Sequence, residues 1–375
     1  MFLFLFFSIE LILKLLKVEY PIFQKHDEIT GFSLLPNTKG IWNREGYGLV
    51  EINSKGLRDI EHKLKKNKDT FRIAILGDSF AEARSLNIED TFWFKLQPNL
   101  NGCRINNFKS IETINFGVTE FSTTQQYLTL KYKVWEYDPD LILLAFYSGN
   151  DIQDNSKKLA IKKYRPFFTL DGNKVVLDQS FKVTKPYILL ESYFGRIFLQ
   201  ISKYSRISQL LRELYVRAYF KNISKNIDNE KNKNISLFNE YNFDQDDWKE
   251  AWDITERILL MINSEIKNNK TDFYIVTLST PIQVHPDQEV RNIFKKKFNV
   301  TDIDYADTRI KSFSQKNEIK VIDIAKIMRE YAVNNNVFFH GFSNTQLGTG
   351  HWNKEGHNFA SNLISQTLCK DIFNN

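Results

Sequence analysis

The stretch FRIAILGDSFAEA, residues 71–83, carries the decisive local signal in the chain. An apolar run, Ile73 to Leu76, stops at Gly77-Asp78-Ser79 and gives way to a segment that reads as helix. A strand turning sharply into a helix leaves one hydroxyl at the carboxyl edge of a sheet, where open α/β sheets bind their ligands. The helix N-terminus beside it offers free N–H groups and a positive dipole end suited to an oxyanion. Ser79 is therefore the candidate nucleophile.

Strand–helix alternation runs outward from this turn. The pattern predicts strands over 73–76, 113–116, 141–146, 273–278 and 320–324. The third is a continuous apolar run of the kind buried on both faces of a parallel sheet. Helices are expected over 84–98, over 123–136 with Ser122 as N-cap, over 246–268, in the region up to about 316, and from Lys354 to about Cys369. A loop is expected over 335–353. Residues 155–245 break the rhythm, with a hairpin around Asp171-Gly172, an aromatic-rich helical segment over 187–220 and an Asn/Lys-rich loop over 221–245. This block reads as an insertion or cap over the site.

Composition narrows the function classes. The 375 residues are 42% hydrophobic and 26% charged, enough for a substantial core. The net charge of +6 is spread out, and the densest basic run, KLKKNK at 63–68, reads as a solvated linker, so no nucleic-acid partner is expected. Cys103 and Cys369 lack metal-ligand spacing, so no metal is expected, and free thiols or one bridge stay open.

Residues 1–16, MFLFLFFSIELILKLL, are almost all apolar. They fall short of the roughly 20 residues a spanning helix needs. No basic start or small-residue cleavage site is present, which argues against a cleaved signal peptide. Glu10, Lys14 and Lys17 form one polar stripe, which allows a tilted or short anchor, an interfacial helix or a helix buried against protein. Residues 1–17 are taken as a membrane anchor, and 18–70 as an irregular lead-in with a hairpin and a turn cluster, Asn53 to Asp59, beside the sheet.

In a parallel sheet the strand ends meet at one edge. The second expected strand ends at Gly117 and the third at Gly149-Asn150-Asp151. Acyl transfer through a serine needs a nucleophile, a base and donors aimed at the developing oxyanion. The Ser79 N–H, the Gly117 N–H and the Asn150 side-chain amide would make an oxyanion hole. The base is expected to be His351, in the loop before the last helix. His285 ranks second, His357 reads as packing, and His26, His62 and His340 show no partner. Asp78 reads as structural, and Trp352 as a wall of the acyl pocket or a buried anchor.

These blocks, GDSF at 77–80, Gly117, GND at 149–151 and His351, resemble in order the SGNH, or GDSL-type, hydrolase superfamily across 71–365. The resemblance implies a flavodoxin-like three-layer α/β/α sandwich over 71–370, with a five-stranded parallel sheet of order 2-1-3-4-5. It also implies serine-ester chemistry without a cofactor. The N-S-x-G-x-R-D segment at 53–59 and the ending G-H-W-N-x-x-G-H at 350–357 look similar to a membrane-linked bacterial branch. That branch includes proteins similar to alginate O-acetyltransferases and other modifiers of envelope polysaccharides. The expected substrate is then an acylated carbohydrate or other small ester, with room for a membrane acyl-donor protein as partner and an extracytoplasmic location. The chain departs from the family at one point. The family's Asp three residues before the histidine is Gly348 here, and the loop 344–350 holds no carboxylate. The expectation is a Ser79–His351 dyad oriented by a backbone carbonyl or by a carboxylate from elsewhere. The rivals are a non-catalytic carbohydrate-binding or assembly protein on the same fold, and a soluble lipase-like esterase whose first helix only touches the bilayer.

Overall fold

The computed structural model describes residues 2–103, 108–172, 174–230 and 246–373. A helix, α1 (Phe2–Leu15), comes first, followed by two antiparallel hairpins. One pairs β1 (Gln24–Asp27) with β2 (Gly31–Leu34), the other β3 (Thr38–Trp42) with β4 (Gly48–Ile52). Then the alternation begins: β5 (Thr70–Leu76), a single turn α2 (Ser79–Glu82), α3 (Phe92–Asn101), β6 (Ser110–Asn115), α4 (Thr123–Tyr132), β7 (Leu141–Phe146) and α5 (Ser148–Asn155). The insertion holds the hairpin β8 (Phe167–Asp171) and β9 (Lys174–Asp178), then α6 (Lys185–Glu191), α7 (Tyr193–Tyr204) and α8 (Arg206–Glu230). The chain returns through α9 (Asp246–Asn268), β10 (Asp272–Thr277), α10 (Gln288–Phe298), α11 (Tyr305–Lys316), β11 (Lys320–Asp323), α12 (Ala325–Asn335) and α13 (Lys354–Leu368).

The central sheet is parallel throughout, in the order β11-β10-β7-β5-β6. Counted along the chain this is 2-1-3-4-5 from the other side, the topology expected. Every residue of β5 and β7 is buried, because helices cover both faces. Ala74, Leu76, Ile142 and Leu144 point to one layer with Leu130 of α4, Ile258 of α9 and Ile310 of α11. Ile73, Ile75, Leu141 and Leu143 point to the other, with Leu96 of α3, Met328 of α12 and Ile364 of α13. The register places Leu76 beside Leu144, and Ile75 beside Asn115, so three strands end at one edge.

Local readings hold in part. Ser122 caps α4 through a reciprocal box with Gln125, as its position suggested. The helix expected over 84–98 starts only at Phe92 and runs to Asn101, while before it a single turn at 79–82 is closed by Ala83 in the left-handed region (φ 50°). The reason is tertiary: Arg58, fully buried, donates to the carbonyls of Glu82 and Leu86 and holds that segment out of a helix. Cys103 and Cys369 form a disulfide, joining the segment after α3 to the one after α13. Of the loop expected over 221–245, the first part continues α8 to Glu230 and the rest lies outside the described residues. Among the described residues no helix is long and apolar enough to cross a membrane.

Candidate active site

Ser79 is the first residue of α2, so its N–H has no acceptor within the helix. Asp78 caps the turn by accepting from Phe80 N–H at 2.9 Å. With only four residues, this helix supplies local N–H groups rather than the sizeable dipole a long helix would bring. The turn is anchored from below: Trp93 Nε1 and Asn115 Nδ2 both donate to the Ala81 carbonyl, at 2.7 and 3.0 Å. The Asn53–Asp59 cluster is part of the same support. Arg58 holds Glu82 and Leu86, and the Asp59 carboxylate accepts from Asn115 N–H at 2.8 Å.

His351 lies where the sequence placed it. Its Nε2 is 2.8 Å from Ser79 Oγ. Its ring leans on Phe80, centroids 5.0 Å apart, and the loop that carries it is pinned by Gly341 N–H on the His351 carbonyl and Asn353 N–H on that of Phe339. Trp352 is a fully buried anchor rather than a pocket wall, its Nε1 donating to Ser279 Oγ at 2.8 Å. His340 sits behind it, between the Gly350 carbonyl and Ser279 Oγ, and burial pushes its pKa down to about 3. His357 is likewise buried and accepts from Phe92 N–H, which agrees with a packing role. His285 rests on Phe338 and borders Gly348; no contact joins it to Ser79.

The orienting carboxylate comes from the lead-in. Glu45 lies in the turn between β3 and β4, and its Oε2 is 2.5 Å from His351 Nδ1. Its Oε1 also accepts the His351 backbone N–H at 2.7 Å. Asn344 clamps the two segments by accepting from Gly46 N–H and donating to the carbonyls of Asn43 and Gly46. Two glycines make this arrangement possible. A side chain at Gly350 (φ +72°) would collide with Glu45 Oε1, at 2.0 Å from its Cβ. At Gly348 (φ +77°), where the family's acid is expected, a Cβ would press on the His285 ring at 2.7 Å. Of the two orienting groups expected for His351, a backbone carbonyl or a carboxylate from elsewhere, the geometry shows the second: Ser79, His351 and Glu45 lie in one hydrogen-bonded line. Burial opposes charge on both members, yet their mutual contact prevails: the His351 pKa is raised above the ordinary imidazole value and the Glu45 carboxyl is held low.

The oxyanion side differs from expectation at Gly117. Its N–H donates to Asn115 Oδ1 at 2.9 Å, a local side-chain turn that occupies the donor. Asn150 is at the edge as expected, with Nδ2 donating to Asp78 Oδ2 at 2.8 Å and one further hydrogen on that nitrogen. Ser79 N–H and Asn150 thus remain as donors, while Gly117 becomes one only if Asn115 lets go. Burial pushes the Asp78 carboxyl up to about 6 and that of Asp151, beside it, well above its usual value. A cleft of about 240 Å³ reaches Gly117 between the first hairpin and α4, but neither Ser79 nor His351 lines it.

Glu45 was missed because the hairpin turn Asn43–Tyr47 carries no motif, and its contact with His351 spans 306 positions. The one sequence signal was a lone carboxylate followed directly by the turn glycines Gly46 and Gly48. Among the described residues no group of side chains could hold a metal ion.

No family model matches the chain, and no curated protein matches it. Solved structures do. An acetyl xylan esterase, AlAXEase, aligns over 80% of this chain and 100% of its own at 11% identity, with a TM-score of 0.41. An acetylxylan esterase from Geobacillus stearothermophilus, as a catalytic mutant, aligns over 81% and 96% at 10% identity and 0.40. A GDSL-like lipase from Bacteroides thetaiotaomicron aligns over 83% and 93% at 12% identity and 0.37.

Proposed function

We propose that the protein is a serine-dependent ester hydrolase or O-acyltransferase of the SGNH type. The observation that carries this reading is the Ser79 Oγ–His351 Nε2 separation of 2.8 Å with Glu45 behind it. Ser79 Oγ attacks the ester carbonyl while His351 Nε2 takes its proton. Glu45 holds Nδ1–H, which fixes the tautomer and stabilises the imidazolium as it forms. Ser79 N–H and Asn150 Nδ2 face the developing oxyanion. On collapse, His351 returns the proton to the departing alcohol and an acyl-serine remains. Water or a sugar hydroxyl, deprotonated by His351, then takes the acyl group.

An acetylated carbohydrate is the substrate class we favour. The motifs at 53–59 and 350–357 support it, as does the activity named for two of the similar structures. The Cys103–Cys369 bridge suits an oxidising, extracytoplasmic compartment. The non-catalytic alternative is prompted by Gly348 and by the long aromatic insertion, and Glu45 beside His351 speaks against the first of these.

Labelling with a fluorophosphonate followed by peptide mass spectrometry tests the reading, with Ser79→Ala as control. An adduct on Ser79 that the variant lacks is expected. An intact chain without adduct would leave only the binding-protein reading. Given the adduct, incubation with an acetyl donor and a polysaccharide acceptor separates hydrolase from transferase: acetate release without acceptor modification argues against transfer.

A further inference from the structure

Helix α1 exposes apolar side chains over an unusually wide arc. Phe4, Phe7, Leu11 and Leu15 form one stripe, and Leu5, Ile12 and Leu16 the next, all more than half exposed. At 100° per residue these stripes cover roughly 200° of the helix, twice the ~100° face that docks on a protein core. Such a helix needs apolar surroundings on more than one side. Its polar side is spent on the protein. Glu10, buried, accepts from the N–H groups of Arg206 and Ile207 at 2.7 and 3.1 Å and from Ser205 Oγ at 3.1 Å. That carboxylate thus sits on the start of α8 and fixes α1 to the insertion.

Exposed apolar side chains recur in the helices that lead up to this junction. Helix α7 ends at Tyr204, next to Ser205, and shows Phe194, Phe198 and Ile201 at i, i+4 and i+7, with exposures of 78, 60 and 57%. Ile188 and Leu189 of α6 extend it. Tyr193 and Tyr204, at the two ends of α7, are three-quarters and two-thirds exposed, the aromatic placement of a water–lipid boundary. Over 185–204 the basic Lys185, Arg196 and Lys203 outnumber the single acidic Glu191. This charge pattern complements anionic headgroups.

We propose that α1, α6 and α7 form one lipid-facing platform by which the protein lies on an anionic bilayer. The insertion is then membrane contact rather than a lid over Ser79. The inference is independent of the esterase reading.

Flotation of the full chain with phosphatidylethanolamine–phosphatidylglycerol vesicles tests it. The unaltered protein floats, and the triple variant Phe194→Glu, Phe198→Glu, Ile201→Glu, with α1 intact, loses about tenfold in the floated fraction while keeping its thermal midpoint. Undiminished flotation of that variant would assign binding to α1 alone and overturn the platform. A lipid-free dimer that the same substitutions convert to monomer would instead assign the face to a second copy. Should the variant misfold, photoactivatable phosphatidylglycerol on the unaltered protein decides. Adducts within 185–204 as well as 4–16 are expected, and adducts confined to 4–16 would refute the proposal.

Discussion

Glu45 meets His351 through both carboxylate oxygens, Oε2 at 2.5 Å from Nδ1 and Oε1 at 2.7 Å from the backbone nitrogen, across 306 positions of sequence. A two-point contact fixes the ring as well as its proton. Glu45→Gln is expected to lower kcat on a soluble acetate ester by about 10³–10⁴-fold with little change in KM, as loss of a tautomer-setting carboxylate does elsewhere. The pH profile separates positioning from mere damage. His351 must be neutral to accept a proton, and its pKa is raised, so the acid limb lies above 6.5 and activity falls as pH drops through it. Without the Glu45 charge, burial dominates and the limb moves to lower pH. An unmoved limb would show that Glu45 does not act through the imidazole.

On the proposed mechanism the oxyanion relies on Asn150 and the Ser79 N–H, because Asn115 occupies the Gly117 N–H. Asn150→Ala is expected to lower kcat about 10²–10³-fold, the usual loss for one such donor. Steady-state kinetics on the folded variant check this, and a change below threefold would remove Asn150 from the site.

His62 couples stability to pH. Its Nδ1 is 2.6 Å from Glu112 Oε1 and its Nε2 3.2 Å from Asp59 Oδ2. Burial opposes the imidazolium, but the two carboxylates hold its pKa up at about 9. Burial pushes the Asp59 carboxyl up, whereas Glu112, also bonded to Arg72, stays low, so Glu112 is the firmer partner. A raised folded-state pKa stabilises fully below the unfolded value near 6.5 and is lost as pH climbs through about 9. Denaturant unfolding should therefore show stability falling by about 3 kcal/mol across that window, at ~1.4 kcal/mol per pKa unit. His62→Gln should flatten the slope.

The Cys103–Cys369 bridge closes a loop across most of the domain, with 266 positions between its ends. Reduction, or Cys103→Ser with Cys369→Ser, is expected to cost about 2–5 kcal/mol. Thermal melts with and without reductant check it, and an unchanged midpoint would deny the bridge a stabilising role.

Much of the site was legible in the chain. Gly77-Asp78-Ser79 announced itself because an apolar strand must stop where a turn begins, and His351 because a loop before a last helix reaches the same edge. The helix after Ser79 was overextended, since helical composition says nothing of Arg58 taking the carbonyls of Glu82 and Leu86 from 24 and 28 positions away. Gly117 was assigned a free N–H because Asn115, two residues earlier, reads equally well as a strand residue until its side chain turns back.

The sequence by itself determined the strands of the sheet, the strand ends that meet at its edge, and the candidates for nucleophile and base, while the order of the sheet was implied by the family resemblance. The former follow from local patterns: buried apolar runs, turn glycines and the direction a parallel strand must take. Only the tertiary structure decided which carboxylate stands behind His351, which donors stay free for an oxyanion, and that Cys103 and Cys369 pair. Those are contacts between distant segments. They depend on how the lead-in hairpin and the last loop close on each other, and on Gly350 leaving room for Glu45 to approach.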